Sequence, residues 1–453
     1  MFKKFTNGCV ALVQKFLPDA FIFAIFLTIL TFILGIIFTH QGPLDMIVHW
    51  GEGFWSLLAF SMQMALVLVT GHTLALSKPV KKGLRSAASL AKTPTQAIFA
   101  VSLVSALACW INWGFGLVIG ALYAMELARQ IRDVDYRLLI ASAYSGFLVW
   151  HAGISASIPL TLSTSTADLQ TMTAGAVTEA IPTTQTIFAP FNLIISFAII
   201  LTLPLINKAM HPQGSDVVAI DPELLKMNNK QEEEAATIEV NETPADRIEN
   251  SKIISLITGI FGLIYIVYYF STKGFDLNLN IVNFIFLILG ILFHQTPRRF
   301  IAAVGEAVKG AGGIILQFPF YAGIMGMMVG KNADGASLAS LISHWFVSIS
   351  TPRTFPLWTF LSAGIVNFFV PSGGGQWAVQ APIMMPAGAA LGVPAAKTAM
   401  AIAWGDAWTN MIQPFWALPA LGIAGLGARD IMGFCLIDLI WSGIIIILGF
   451  LFL

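Results

Sequence analysis

The sequence predicts an all-α polytopic membrane protein made of two inverted-topology repeats, each with a re-entrant helical hairpin and a broken transmembrane helix. Three observations predict this. Of 453 residues, 57% are hydrophobic and 11% charged, with a mean hydropathy of +0.79; a soluble domain carries about 25% charged residues. Apolar runs at 20–39, 54–76, 187–207, 253–271, 310–330 and 430–453 approach the ~20 residues a spanning helix needs. They are continuous, not alternating, so they predict helices and not barrel strands. Finally, two stretches about 260 residues apart share an irregular code: 143–160 reads AYSGFLVWHAGISASIPL and 403–420 reads AWGDAWTNMIQPFWALPA. Ala143 aligns with Ala403, Tyr144 with Trp404 and Pro159 with Pro419. Interrupted hydrophobic segments at matching places in two halves point to a secondary transporter with its site at mid-membrane.

Basic residues order the elements, because Lys and Arg collect on the cytoplasmic side of short loops. Lys3, Lys4 and Lys15 place the N-terminus inside, and 20–39 is an uncleaved first helix, too long for a signal core. The loop 40–53 has no Lys or Arg and lies outside; helix 54–76 returns to Lys78, Lys81, Lys82, Arg85 and Lys92. The next cluster, Arg129, Arg132 and Arg137, is also inside, yet the apolar segment 94–125 separates the two. One crossing cannot satisfy both, whereas a hairpin turning at Asn112 to Gly116 can. Segment 138–160 goes out, the Thr-rich 161–186 stays outside, and helix 187–207 comes back.

Residues 208–252, with Asn228-Asn229 and Glu232-Glu233-Glu234, form a polar cytoplasmic linker. Helix 253–271 then crosses without a first-half counterpart and lets the second half start on the opposite face. Helix 281–297 leads in to Arg298 and Arg299, and helix 310–330 leads out to Lys331. An amphipathic piece, 337–350, lies at the outer surface. Segment 354–395 is the second hairpin, entering from outside and turning near Pro371 to Gln376; 397–422 is the second broken crossing, and 430–453 ends outside. The first repeat is thus 1–207 and the second 281–453, with nine crossings and two hairpins. All Lys and Arg except Lys273, Lys331, Arg353 and Lys397 fall inside. The zero net charge suggests no nucleic-acid partner. Cys9, Cys109 and Cys435 lack metal-ligand spacing and are expected to be buried hydrophobes.

A helix broken in lipid leaves peptide groups unpaired, each costing several kcal/mol unless protein, water or ligand satisfies it. Half-helix N-termini suit an anion, and loose carbonyls suit a cation. The candidate substrate residues are therefore Asn112, Trp113, Gly114, Phe115 and Gly116 at the first tip, and Ser372, Gly373, Gly374, Gly375 and Gln376 at the second. His151 and Ser155 join them in the first broken crossing, and Asn410 and Gln413, next to Pro414, in the second. Candidate Na+ or coupling-ion ligands are Asn112, Ser157, Asn367, Asp406, Thr409 and Asn410. Asp406 is the only acid in these segments; holding Na+, carrying a coupling proton and a structural bond to the opposite hairpin all fit it. His151 fits a structural imidazole or a proton carrier; His72 and Asp438, in outer helices, are structural. The four segments contain no Lys or Arg, so a dicarboxylate or phosphate lacks its usual clamp and a singly charged anion fits better. Trp110, Trp113, Trp150, Trp377, Trp404, Trp408 and Trp416 lie in or at these segments, where they wall an acyl pocket or simply pack.

Five strings carry a family resemblance: Gly51-Glu52-Gly53-Phe54-Trp55, Ile111-Asn112-Trp113-Gly114-Phe115-Gly116, Gln317-Phe318-Pro319-Phe320-Tyr321-Ala322-Gly323, Val370-Pro371-Ser372-Gly373-Gly374-Gly375, and Gln413-Pro414-Phe415-Trp416-Ala417-Leu418-Pro419-Ala420. Over essentially its whole length the chain resembles the short-chain fatty acid transporter family, which looks like a branch of the ion-transporter superfamily. The resemblance implies a carrier of monocarboxylates such as butyrate or acetoacetate in the bacterial inner membrane; the basic-residue pattern puts the N-terminus in the cytoplasm and the C-terminus in the periplasm. The resemblance further implies symport with Na+ or H+, an elevator-like motion, a homodimer, and no cofactor beyond a coupling Na+. The Ser-Asn-Thr signature of relatives is replaced here by Asn112 between Ile111 and Trp113, and by Ser372 among glycines.

Other functions weigh less. A carrier for another small organic anion (a hydroxy or keto acid) shares these features, while an anion channel leaves the paired broken crossings unexplained. An intramembrane hydrolase is disfavoured because Ser145 lacks a G-x-S-x-G setting and Asp406 lacks an acidic partner.

Overall fold

A computed structural model describes residues 20–164, 167–212, 214–221, 243–413 and 415–453. Lys3, Lys4, Lys15 and Cys9, the linker run with Asn228-Asn229 and Glu232-Glu233-Glu234, and Pro414 lie outside the described residues. Among the described residues every regular element is a helix. Eight helical segments among the described residues are long and apolar enough to cross a membrane: Phe21–Thr39, Leu58–Ala75, Pro94–Ile111, Tyr136–Ser163, Pro190–Ala209, Lys252–Lys273, Pro297–Val329 and Ala428–Phe452.

The first half opens with α1 (Ala20–Thr39), α2 (Pro43–Gly53), α3 (Leu58–Ala75) and α4 (Lys78–Ala88). The stretch 40–53, expected to be a loop, is largely helix α2. Pro43 sits in its first turn and the Asp45 carboxylate accepts the Gly42 N–H at 3.1 Å, a start signal that needs no basic residue. Next come α5 (Pro94–Ile111) and α6 (Trp113–Gln130), then α7 (Tyr136–Ser145), a 3-10 turn (Gly146–Ala152), and α8 (Ser157–Ser163). Short α9 (Ala167–Met172) and long α10 (Pro190–Ala209) close the half.

The second half follows α11 (Pro244–Glu249) and the lone α12 (Lys252–Lys273). It comprises α13 (Leu279–His294), α14 (Pro297–Val308), α15 (Gly312–Val329), α16 (Leu338–Ile349), α17 (Phe355–Asn367), α18 (Gly373–Ala390), α19 (Ala395–Thr409), α20 (Ala417–Ala424) and α21 (Ala428–Phe452). Phe26, Ile33, Phe38, Phe261, Ile264 and Val267 on α1 and α12 are exposed. Such apolar, outward-facing helices suit lipid contact and not water.

The segments 94–125 and 354–395 each fold back on themselves. Cβ atoms added at Gly116 and Gly120 would meet Cys109 and Ser105, a pairing that runs antiparallel. In the second hairpin, Gln376 Nε2 donates to the Ala363 carbonyl at 2.9 Å and Gln380 Nε2 to Ser362 Oγ at 2.9 Å. Both turns are shorter than the Gly-rich strings suggest. Asn112 alone is non-helical (φ −151°, ψ 121°), and its Oδ1 accepts the Phe115 N–H at 2.9 Å, so Gly114 and Gly116 already lie in α6. In the second hairpin the turn is 368–372; Ser372 Oγ accepts the Gly375 N–H at 3.4 Å, and Gly373 to Gln376 are helical. A side-chain cap restarts the helix at once, which sequence composition does not reveal.

Comparable contacts occur in the two parts of the chain. α3 lies along α6, the second arm of the first hairpin, and α15 lies along α18, the second arm of the other. The first arms, α5 and α17, pack on the broken crossings: α5 on the 3-10 turn and α17 on α19. The closing helices α10 and α21 pair antiparallel, with Phe191 near Phe450, Ile195 over Gly449 and Trp441 Nε1 donating to Thr202 Oγ1 at 2.9 Å. Small residues allow these close approaches, as expected for helices that pack without a hydrophobic driving force.

Candidate functional site

The segments 138–160 and 397–422, expected as broken crossings, are each interrupted at a defined place. The first loses its helix between the 3-10 turn and α8, over Gly153 to Ala156. The second loses it between α19 and α20, over Asn410 to Trp416. The polar side chains at these places are buried: His151, Ser155 and Asn410 are 0% exposed.

The first hairpin tip sits on the first break. The Ile154 N–H donates to the Trp110 carbonyl at 2.7 Å, and the Trp113 N–H donates to Ser155 Oγ at 2.9 Å. The peptide groups freed by the interruption thus pair with the tip, as buried backbone must. Gly153 permits the approach: an added Cβ would lie 2.0 Å from the Trp110 carbonyl oxygen. Below the tip, Ser105 Oγ donates to the Ala143 carbonyl and locks the first arm to the crossing.

The second hairpin tip is tied to the second break by side chains. Asn367 Nδ2 donates to Thr409 Oγ1 at 3.0 Å and to Asn410 Oδ1 at 3.1 Å, while Thr409 Oγ1 donates to the Gly364 carbonyl at 2.9 Å. Gly405 supplies the close fit, its absent Cβ leaving room for the Phe360 carbonyl at 2.3 Å.

The two tip-and-break pairs meet each other. His151 Nδ1 and Asp406 Oδ2 are 2.7 Å apart, both buried. The Ile158 N–H, which opens α8, donates to His151 Nε2 at 3.1 Å. That nitrogen must therefore accept, so Nδ1 carries the proton donated to Asp406. Tyr144 Oη donates to the Asn410 carbonyl at 2.7 Å. Gly373 of the second tip lies over the first crossing; a Cβ there would be 2.5 Å from His151 Cε1 and 2.6 Å from the Trp150 ring. Trp113 of the first tip packs edge-on to Trp416 of the second break, centroids 5.0 Å apart. Both tips and both breaks converge on one buried locus.

The candidate residues divide around this locus. Trp113, His151, Ser155, Gly373, Asp406, Thr409, Asn410 and Asn367 lie in contacts between tips and breaks. Gly114 packs against the Leu68 and Val67 backbone of α3, and Asn112 faces Gly71. Gly116 closes the hairpin on Cys109, and Phe115 packs on the Phe286 ring. Gly374 and Gly375 lie under the Phe318 and Tyr321 rings of α15. Ser372 caps α18, and Gln376 bonds within its hairpin. Ser157 is buried at the start of α8, and Gln413 Oε1 accepts the Phe415 N–H at 2.9 Å.

One residue escaped the sequence reading. Asn192 on α10 donates to the Ala152 carbonyl at 3.0 Å and accepts the Trp404 indole N–H at 2.9 Å, bridging the two broken crossings. An Asn inside the apolar run 187–207 was the available signal. Asn192→Ala strands the Trp404 indole N–H and the buried carbonyls of Ala152 and Ile187, each worth about 1–3 kcal/mol. A lower melting temperature of the detergent-solubilised protein is expected.

Comparison with known proteins decides the family. The family model for "Short chain fatty acid transporter" matches residues 1–453. The chain belongs to the short-chain fatty acid transporter family. Two similar relatives bear the name "Putative short-chain fatty acid transporter". The Escherichia coli (strain K12) protein is 47% identical over 437 residues, covering 96% of each chain. The Haemophilus influenzae (strain Rd) protein is 43% identical over 456 residues, covering 100% of each. Among solved structures, the Alcanivorax borkumensis YdaH transporter, described as having an unusual topology, aligns with a TM-score of 0.57 over 96% of this chain and 97% of its own, at 16% identity. That likeness is one of fold. The family and the apolar helices make this chain a multi-pass membrane protein and a transporter, not an enzyme.

Proposed function

We propose that this transporter is a secondary carrier of short-chain monocarboxylates such as butyrate or acetoacetate across the bacterial cytoplasmic membrane. The observation that carries the reading is the meeting of two hairpin tips and two helix breaks in segments without Lys or Arg. A single carboxylate matches such a lining, since peptide and amide dipoles can offset one charge but offer no clamp for two. Family membership over the full length supports the acid class.

Buried acceptors support a coupling cation beside the acid. Asp406 Oδ1, Asn367 Oδ1 and Gln376 Oε1 have no hydrogen-bond partner among the described residues. They stand with Thr409 and Asn410 on or against the packed α17 and α19, an oxygen-rich set for Na+; the Asp406–His151 pair serves a proton instead. The antiparallel pairing of α10 with α21 supports halves related by inversion (1–207 and 281–453), and the basic-residue pattern supports a cytoplasmic N-terminus and a periplasmic C-terminus. In this reading the hairpins and broken crossings slide as a unit past α3 and α15 in each subunit of a dimer.

Labelled butyrate and acetoacetate uptake into proteoliposomes, under imposed Na+ or proton gradients, tests the function. Saturable uptake driven by one gradient is expected, with hydroxy and keto acids competing more weakly. No gradient-driven uptake of either acid rejects the proposal.

A further inference from the structure

Buried indoles usually find an acceptor, and several here do: Trp404 donates to Asn192, Trp408 to the Leu439 carbonyl and Trp441 to Thr202. Three indoles at the meeting point do not. Trp113, Trp150 and Trp416 are 3%, 2% and 7% exposed, and none of their Nε1 atoms has a hydrogen-bond partner among the described residues. Their rings form one cluster: Trp113 lies 5.0 Å from Trp416 and 5.6 Å from Trp150, and Phe147 stacks on Trp150 at 5.2 Å. The other indoles without partners, Trp50, Trp110 and Trp377, make no ring contact with it.

Three indole donors, from the first tip, the first crossing and the second break, therefore lie in one ring cluster without acceptors. Donors of this kind, each costly to leave unmade, select an occupant rich in lone pairs. A carboxylate offers about four acceptor sites and no donor. We propose that the Trp113, Trp150 and Trp416 indole N–H groups hold the substrate carboxylate, and that Phe147 bounds its acyl chain. The inference rests on the monocarboxylate reading above and assigns the residues that recognise the acid. Because the contributing elements belong to both halves, the acid bridges the first tip and the second break. A neutral isostere such as butyramide, which brings its own N–H groups, is excluded by the same donors.

Single Trp113→Phe, Trp150→Phe and Trp416→Phe changes keep each ring and delete its N–H. In proteoliposomes, KM for butyrate should rise by about tenfold to a hundredfold in each, since a hydrogen bond to a charged group is worth about 1.5–3 kcal/mol. The maximal rate should fall less than KM rises. Trp441→Phe, whose indole serves Thr202, should leave KM in place. Where a variant does not fold, the wild-type protein supplies the second test. With 15N-labelled indoles, three N–H resonances should move downfield on adding butyrate and stay still with butyramide. Unchanged KM in the folded Phe variants, or unmoved resonances, overturns the assignment while leaving butyrate transport standing. Absence of uptake by the wild type refutes the transport reading and this inference with it.

Discussion

Alanine at position 153 is expected to abolish uptake and sharply lower folded yield. A Cβ there would lie 2.0 Å from the Trp110 carbonyl oxygen, 2.6 Å from its carbon and 2.7 Å from its Cα. All three are backbone atoms, so no side-chain rotation relieves the clash. Overpacking a core costs about 1–3 kcal/mol, occasionally more; backbone opposition belongs at the upper end. Relief requires the first hairpin to lift from the first break, which also strains the Ile154–Trp110 and Trp113–Ser155 hydrogen bonds. Gly83→Ala is the matched control, because nothing lies within 4 Å of the Cβ it would add. Size-exclusion profiles and butyrate uptake of the two variants make the comparison; normal folding and transport by Gly153→Ala would refute the seating of tip on break.

Leucine in place of His151 is expected to cost about 3–5 kcal/mol, because it leaves the buried Asp406 carboxylate without its partner. It also strands the Ile158 N–H at the start of α8. Asp406→Leu alone removes the charge itself and should be milder. The double change should recover much of the stability lost in His151→Leu, since neither charge nor partner remains. None of the three should transport. Thermal stability of the three variants in detergent measures the coupling. Strictly additive losses would mean that the pair does not join the two crossings in the folded protein.

How much of this was legible in the sequence depends on the kind of signal. The fold back at 94–125 follows from two basic clusters that one crossing cannot place on the same side, and the structure pairs its arms as antiparallel helices. Helix α2 was missed because the absence of Lys and Arg was taken for a loop, whereas Pro43 and Asp45 carried the start signal. The turns were drawn too long because glycines that look like loop residues serve close packing inside α6 and α18: Gly116 under Cys109, Gly375 under Tyr321. Polar residues inside broken helices were visible as candidates, but their partners were not. His151 meets Asp406 across 255 positions, and Tyr144 meets Asn410 across 266; periodicity carries no information at that separation. Which indole lacks an acceptor depends on three dimensions too, so Trp404 and Trp416, twelve residues apart in one motif, differ in role for a reason no string shows.

Photolabelling with a diazirine-bearing butyrate in lipid tests most directly where the acid sits. The account predicts butyrate-protectable adducts in peptides holding Trp113, Trp150, Gly373 and Trp416, drawn from both halves of the chain. Protectable adducts confined to one half, or to the lipid-facing α1 and α12, would contradict it.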